Sequence, residues 1–167
     1  MNRFPSCAHD HESCIACALS SAEIICKRRE VRLTNLRRKV LQLIWDSHAP
    51  IRAYDLIEKL SNSCTANCST RSRVAPQTVY RALEFLIKQG LVHRIESLNA
   101  FVGCIEPEEN HMGYFLICQS CGVVQEFANG VLNQALRYYA NKLNFQIKCI
   151  TIEVAGLCAN CPNSATK

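Results

Sequence analysis

The 167-residue sequence predicts an α+β protein built in two parts, and three observations predict it. From Leu36 to Ile87 apolar residues recur at helical spacing in three separate runs. From Leu91 to Cys104 two short runs of strand-forming residues flank a tight turn. From Tyr114 onward, strand-like and helix-like runs alternate around a Cys-x-x-Cys turn.

Residues 1–20 carry Cys7, His9, His11, Cys14 and Cys17 and read as a flexible Cys/His tail, with a short helix expected over 23–29. Leu36, Val40, Leu43 and Ile44 follow i, i+4, i+7, i+8, the mark of an amphipathic helix. Thr34 or Asn35 can cap its start, and His48-Ala49-Pro50 ends it. A second helix is expected over 53–60, with Leu56, Ile57 and Leu60 inward. Residues 61–74 are polar and turn-rich and read as a loop. A third helix is expected over 76–89, where Pro76 suits the first turn and Gly90 the end. Its inward stripe is Val79, Ala82, Leu83, Leu86 and Ile87; its outward face shows Gln77, Thr78, Tyr80, Arg81, Glu84 and Lys88.

Strands over 91–96 and 100–104, joined at Ser97-Leu98-Asn99, complete three helices and a hairpin. That is the order of a winged helix, expected over 21–104. Glu106-Pro107-Glu108-Glu109 interrupts the patterns on both sides and is expected to lie in a hinge over 105–110. Residues 111–167 read as a small α/β unit. Its strands are expected over 114–118 and 123–127, with a helix over 131–143 and a last strand over 145–154. Val131, Ala135, Leu136 and Tyr139 share one side of that helix.

Composition narrows the classes. A 49% hydrophobic content excludes a wholly disordered chain. No apolar run approaches the roughly 20 residues of a membrane-spanning helix. Asp10, Glu12 and Glu23 stand where a secretory signal carries a basic head and a long apolar stretch, so a cytoplasmic chain is expected. The net charge of +5 is unevenly placed: residues 1–96 hold 15 Lys/Arg against 9 Asp/Glu, and residues 97–167 hold 4 against 5. A basic front half suits a polyanion, and it also suits a plain solvated surface.

Twelve cysteines admit two readings, a disulfide scaffold or metal ligation. Cys118-x-x-Cys121-Gly and Cys158-x-x-Cys161-Pro favour the second: four thiolates can enclose one Zn²⁺ tetrahedrally, and each C-x-x-C turn offers two sulfurs without strain. A second group, His93, Cys104, His111 and Glu126, is looser; spacing alone reads equally well as ordinary polar residues and a buried thiol. On the expected third helix, Tyr80 and Arg81 are the best placed to meet base edges and phosphates. Thr78 and Gln77, and Tyr54 from the preceding helix, are further candidates, against the reading of a plain solvated face. Seven cysteines remain, of which Cys7, Cys14 and Cys17 with His9 and His11 can hold an extra metal, as can Cys64 and Cys68; Cys26 and Cys149 read as core.

The run Pro76-Gln77-Thr78-Val79-Tyr80-Arg81-Ala82-Leu83-Glu84-Phe85-Leu86, the run Gln89-Gly90-Leu91-Val92-His93 and the two thiolate pairs together resemble the ferric uptake regulator superfamily. Val92-His93-Arg94-Ile95-Glu96-Ser97 and Ile152-Glu153-Val154-Ala155-Gly156-Leu157-Cys158 are most similar to its zinc uptake branch. The resemblance covers about residues 23–161. It implies a zinc-responsive transcriptional repressor: a homodimer that binds a palindromic DNA operator when zinc-loaded and controls zinc uptake genes. The dimer contact would come from residues 111–167. It also implies two Zn²⁺ per protomer, one held structurally by the four paired thiolates and one held by His93, Cys104, His111 and Glu126 for sensing. No enzymatic activity, small-molecule substrate or membrane association is expected. The single histidine of Asn110-His111-Met112-Gly113 departs from the His-rich run of iron-type members. Two alternatives are an iron- or peroxide-responsive member and, in another class, a zinc-buffering or interaction module.

Overall fold

Helical periodicity in the first half of the chain becomes four helices around one apolar core. The computed structural model describes residues 11–47, 49–63, 74–107, 113–148 and 150–161. Cys7, His9, the 64–73 stretch with Cys64 and Cys68, His111 and Cys149 lie outside the described residues.

The expectation of a flexible tail fails for residues 11–20, which form the first half of helix α1 (His11–Arg28). Ile15, Ala18, Leu19, Ala22, Ile25 and Cys26 repeat at steps of three and four, a helical stripe interleaved with the conspicuous thiols. Ala22, Ile25 and Cys26 are buried and Leu19 packs against them, so tertiary packing stabilises a helix whose local signal is weak. The chain reverses at Glu30, which takes φ +54°, and Val31 N donates to Cys26 O at 2.9 Å, closing the helix end.

Helix α2 (Asn35–Trp45) begins as expected: the Thr34 hydroxyl accepts from Arg37 N at 3.4 Å. Strand β1 (Ile51–Arg52), two residues long, was too short to carry a period. Helix α3 (Ala53–Ser63) buries Leu56 and Leu60. Helix α4 (Pro76–Lys88) ends at Gly90, whose φ of +67° lets Leu91 N reach back to Leu86 O at 2.9 Å. Val79, Ala82, Leu83 and Leu86 face the core, but Ile87, expected with them, is exposed. It lies about 100° around the helix from Leu86, past the edge of the stripe, while Phe85 extends the stripe on its other side. Arg29 Nη1 donates to Gln89 O at 2.6 Å, and the Arg37 guanidinium stacks 3.5 Å over Phe85, so α1 and α2 both grip the end of α4.

Strands β2 (Val92–Ile95) and β3 (Ala100–Gly103) pair antiparallel, His93 opposite Val102, and β1 joins the outer side of β3. A second three-stranded sheet has β4 (Tyr114–Cys118) in its centre. Strand β5 (Val124–Phe127) pairs antiparallel with β4, Phe115 opposite Glu126. Helix α5 (Gly130–Lys142), capped by the Asn129 side chain on Leu132 N, leads to β6 (Ile152–Gly156). The expected strand over 145–154 is therefore mostly displaced. Asn144, at φ +52°, reverses the chain with Phe145 N on Ala140 O at 2.8 Å, and residues 145–148 run without strand pairing. Strand β6 begins where parallel register with β4 sets in, Tyr114 opposite Ile152. Among the described residues no helix is long and apolar enough to cross a membrane.

Two apolar clusters result. The larger joins α1 to α4 with Leu91, Val92 and Phe101. The smaller joins the β2–β3 hairpin to the second sheet: Ile95, Phe115, Ile117 and Val124 are buried, with Leu98 and Val102 against them. The hairpin thus belongs to both halves. At its end the Trp45 indole lies flat on Gly103, where an added Cβ would fall 2.2 Å from the ring. Gly103→Ala is expected to destabilise by about 1–3 kcal/mol through overpacking, checked by chemical denaturation of both proteins.

Candidate functional site

The Cys-x-x-Cys turn between β4 and β5 is held by the backbone before any sulfur is considered. Gly122 takes φ +74°, its N–H meets Cys118 O at 2.9 Å, and Cys118 N meets Val123 O at 3.0 Å. Gln119 N reaches Gly156 O at 2.8 Å, which carries the chain past the end of β6 to the second pair, where Cys161 N meets Cys158 O at 3.1 Å. All four sulfurs lie within 4.8 Å of one another. The separations are 3.7 Å for Cys118–Cys161, 3.7 Å for Cys121–Cys158 and 3.6 Å for Cys158–Cys161. Four sulfurs at about 2.3 Å from one Zn²⁺ would stand about 3.8 Å apart, so the cage has the size of a closed tetrahedral site. Amide donors from Cys121 and Cys158 bring the Cys118 thiol down to about 6; at Cys121 an amide donor from Val123 lowers the thiol, but the neighbouring sulfurs and burial outweigh it and push it up to about 12.

A second cluster gathers donors from three parts of the chain. His93 on β2, Cys104 just after β3 and Glu126 on β5 place one ligand atom each within 4.8 Å of the others. His93 Nε2 lies 2.8 Å from Glu126 Oε1, and its ring meets Phe115 edge-on at 5.3 Å between centroids. The second Glu126 oxygen accepts from Ile105 N at 3.1 Å, which orients the carboxylate. Cys104 is 3% exposed; burial, then the Glu126 charge, push its thiol up to about 12. A cation entering here would displace that proton. Gly113 keeps the space open, since a Cβ there would come within 2.9 Å of Glu126 Oε1 and 2.8 Å of the Phe115 ring. Imidazole, thiolate and carboxylate suit a tetrahedral Zn²⁺ better than an oxygen-rich ferrous site. His111, the fourth expected donor, lies outside the described residues.

Glu153 was missed by sequence reasoning. Across the second sheet, Glu126, Phe115 and Glu153 stand in one row, on β5, β4 and β6. Glu126 reaches His93, and Glu153 reaches the turn at the far end of the same hairpin, accepting from Glu96 N at 2.6 Å and Ser97 N at 3.1 Å. Burial raises the Glu153 carboxyl, but hydrogen bonds from Ser97 and the Glu96 amide outweigh it and hold the group below the usual carboxylate value. The only sequence signal was a charge within an otherwise apolar strand.

The outward face of α4 carries Gln77, Thr78, Tyr80 and Arg81, all exposed, in the first half of the helix. Tyr54 on α3 is 80% exposed beside it. Between these helices and the hairpin runs a groove of about 510 Å³ lined by Arg52, Tyr54, Tyr80, Ile87, Arg94 and Leu98. Arg52 and Arg94 add basic groups that the sequence reading did not single out; strand alternation in β2 turns Arg94 outward. Arg94 is steadied by Asn99 Oδ1 at 3.1 Å and Glu96 at 3.2 Å. On the other half, the expected one-sided stripe of α5 is open to solvent. Val131 is 75% exposed and Leu143 77%, with Tyr139 and Phe145 also exposed, and β6 is an edge strand of its sheet.

The ferric uptake regulator family model matches residues 28–155. The chain is 38% identical over 144 residues to the zinc uptake regulation protein of Escherichia coli (strain K12), covering 86% of this chain and 80% of that relative. Its fold is similar to that of a zinc uptake regulator complexed with zinc and DNA, with a TM-score of 0.80 and 37% identity over 88% of this chain and 94% of the other. It is also similar to holo XcZur, at 0.75 and 40% identity over 86% of this chain and 95% of that one. Against apo XcZur, at 38% identity over 88% and 97%, the TM-score is 0.51. At nearly equal identity, the fold is more similar to the holo than to the apo structure of that neighbour.

Glu153→Ala is expected to lose about 1–2 kcal/mol of stability at pH 7 and to expose the amides of Glu96 and Ser97 to hydrogen exchange. Because the folded carboxyl titrates below its unfolded value, the loss is present at neutral pH and shrinks as pH falls through the folded value. Denaturation at pH 7 and in acid, with site-resolved exchange, checks both.

Proposed function

The chain belongs to the ferric uptake regulator family, and from that premise we propose that it is a zinc-responsive transcriptional repressor of zinc uptake genes. It acts in the cytoplasm as a homodimer on a palindromic operator. The observation that carries this reading is the position of the second donor cluster. His93 belongs to the helical half, Cys104 to the segment leaving it, and Glu126 to the second sheet. Donors drawn from both sides of a joint respond to an ion by fixing the angle of that joint.

In this reading Cys118, Cys121, Cys158 and Cys161 hold one Zn²⁺ permanently, and His93, Cys104, His111 and Glu126 hold the second, which makes two per protomer. Zn²⁺ supplies positive charge and tetrahedral geometry there, without redox chemistry. Glu126 would keep one oxygen on the Ile105 amide and offer the other, which lies 2.8 Å from His93 Nε2, to the ion. His93 presents a neutral nitrogen and Cys104 gives up its proton, so acid opposes sensing. As a member of the ferric uptake regulator family, the chain is read as a regulator and not an enzyme.

The dimer contact is read as the exposed α5 stripe and the β6 edge, within residues 111–167; their exposure supports the reading. Two copies of α4 then enter successive major grooves, with half-sites about one helical turn, roughly 34 Å, apart. Arg81 and Tyr80 meet bases and phosphates, aided by Thr78, Gln77 and Tyr54. If the ion favours the DNA-competent angle, operator and zinc strengthen each other by the same factor, typically about 1–3 kcal/mol. The thiolate among the donors, and the likeness to the holo form of a zinc regulator, support this over the iron- or peroxide-responsive alternative.

Two variants separate the functions. Cys104→Ser is expected to remain a folded dimer with its sulfur cage filled, yet to show no zinc-dependent operator binding. Arg81→Ala is expected to take up zinc normally and to lose operator affinity by about 1–3 kcal/mol or more. Gel shift alongside zinc titration reads both; zinc-dependent operator binding that survives in Cys104→Ser would refute the sensing site.

A further inference from the structure

Of the eight described thiols, four form the sulfur cage, Cys104 belongs to the second cluster, and Cys26 is buried in the helical core. The two that remain, Cys14 and Cys17, both line one cavity of about 190 Å³, and Cys104 lines the same cavity. On α1 the lining residues are Cys14, Cys17, Ala18 and Ser21, at i, i+3, i+4 and i+7, a single stripe of the helix. Leu41, Trp45 and Pro107 give the rest of the wall an apolar character. Exposure grades across the cavity: Cys17 is exposed, Cys14 half-buried and Cys104 buried.

We propose that Cys14 and Cys17 are a zinc-acceptor pair that captures Zn²⁺ at the protein surface and hands it to Cys104. This rests on reading His93, Cys104 and Glu126 as the regulatory site. A site whose cysteine is buried fills slowly from water, because the hydrated ion must shed its shell before it can pass inward, whereas the exposed Cys17 meets it at the surface. Two thiols one helical turn apart on an exposed face hold an ion by two bonds and leave positions open for a third sulfur. As the Cys104 sulfur–zinc bond forms, the Cys17 sulfur–zinc bond breaks, and the proton leaving Cys104 ends on the released sulfur; as His93 and Glu126 take up the ion, the Cys14 sulfur–zinc bond breaks and that sulfur takes a proton from solvent. Atoms and charge balance, and nothing is oxidised.

The test uses the full chain with the sulfur cage filled and Zn²⁺ presented as a coloured chelate, followed by stopped-flow absorbance to the end point. Wild type must first hold a second equivalent against a competing chelator that strips zinc from the Cys14/Cys17 pair of Cys104→Ser; without that difference, the regulatory-site reading itself fails. Given that uptake, Cys14→Ser/Cys17→Ser is expected to accept zinc at least tenfold more slowly, with the same end point and the same apo melting temperature. Equal rates would overturn the proposal. So would an end point weakened as much as the rate, which would make the two sulfurs lasting ligands. Should the double variant melt lower, Cys17→Ser alone, at the exposed position, carries the comparison. Cadmium added to Cys104→Ser should show thiolate charge-transfer absorbance beyond the sulfur cage, lost with Cys14 and Cys17; its absence would also overturn the proposal.

Discussion

The protein depends on a joint little wider than one row of side chains. Glu126, Phe115 and Glu153 stand abreast on the second sheet, and the β2–β3 hairpin of the helical half lies against them. Phe115, Ile117 and Val124 meet Ile95, Leu98 and Val102 of the hairpin, while the two carboxylates bind the two ends of the hairpin. Burying such a side chain contributes about 1.5–3 kcal/mol, so these few contacts align the two bodies. A further set of bonds worth a few kcal/mol can therefore decide the angle, which is the condition for a ligand to act as a switch.

That condition explains why the two donor clusters differ in build. The sulfur cage draws on one hairpin and the segment after β6, all within one half of the molecule, and amide hydrogen bonds shape it independently of any ion. Its neighbourhood has a core of only a few buried residues, and a cross-link suits so small a unit. The other cluster spans the joint, with His93 Nε2 2.8 Å from a Glu126 oxygen and Cys104 buried beside them. An ion held there would tie the two halves together.

The same division runs over the surface. The helical half turns basic and aromatic side chains outward around a groove, the composition of a face that meets a polyanion. The other half turns aliphatic and aromatic side chains outward along α5, beside an open sheet edge, the composition of a face that meets another copy. Changing the angle between the halves within one protomer then changes the distance between two DNA-reading helices, and a small local shift becomes a large change in fit.

Local order was written in the sequence. Helical period, the Thr34 cap and Gly90 stop positioned α2 and α4 within a residue or two, and the C-x-x-C spacing announced four sulfurs that do converge. These signals depend on residues within a turn or a hairpin of one another, where chain stiffness does the work. Helix α1 was hidden because its stripe is sparse and gains stability from the core, not from propensity. The start of β6 was fixed by register with β4, whose partner residues lie almost forty positions away. The meeting of His93, Cys104 and Glu126, and the reach of Glu153 to the hairpin turn, were likewise settled only by tertiary structure. No short-range pattern encodes such contacts, since closing long loops is decided by the sum of packing over the whole chain and not by any neighbour in sequence.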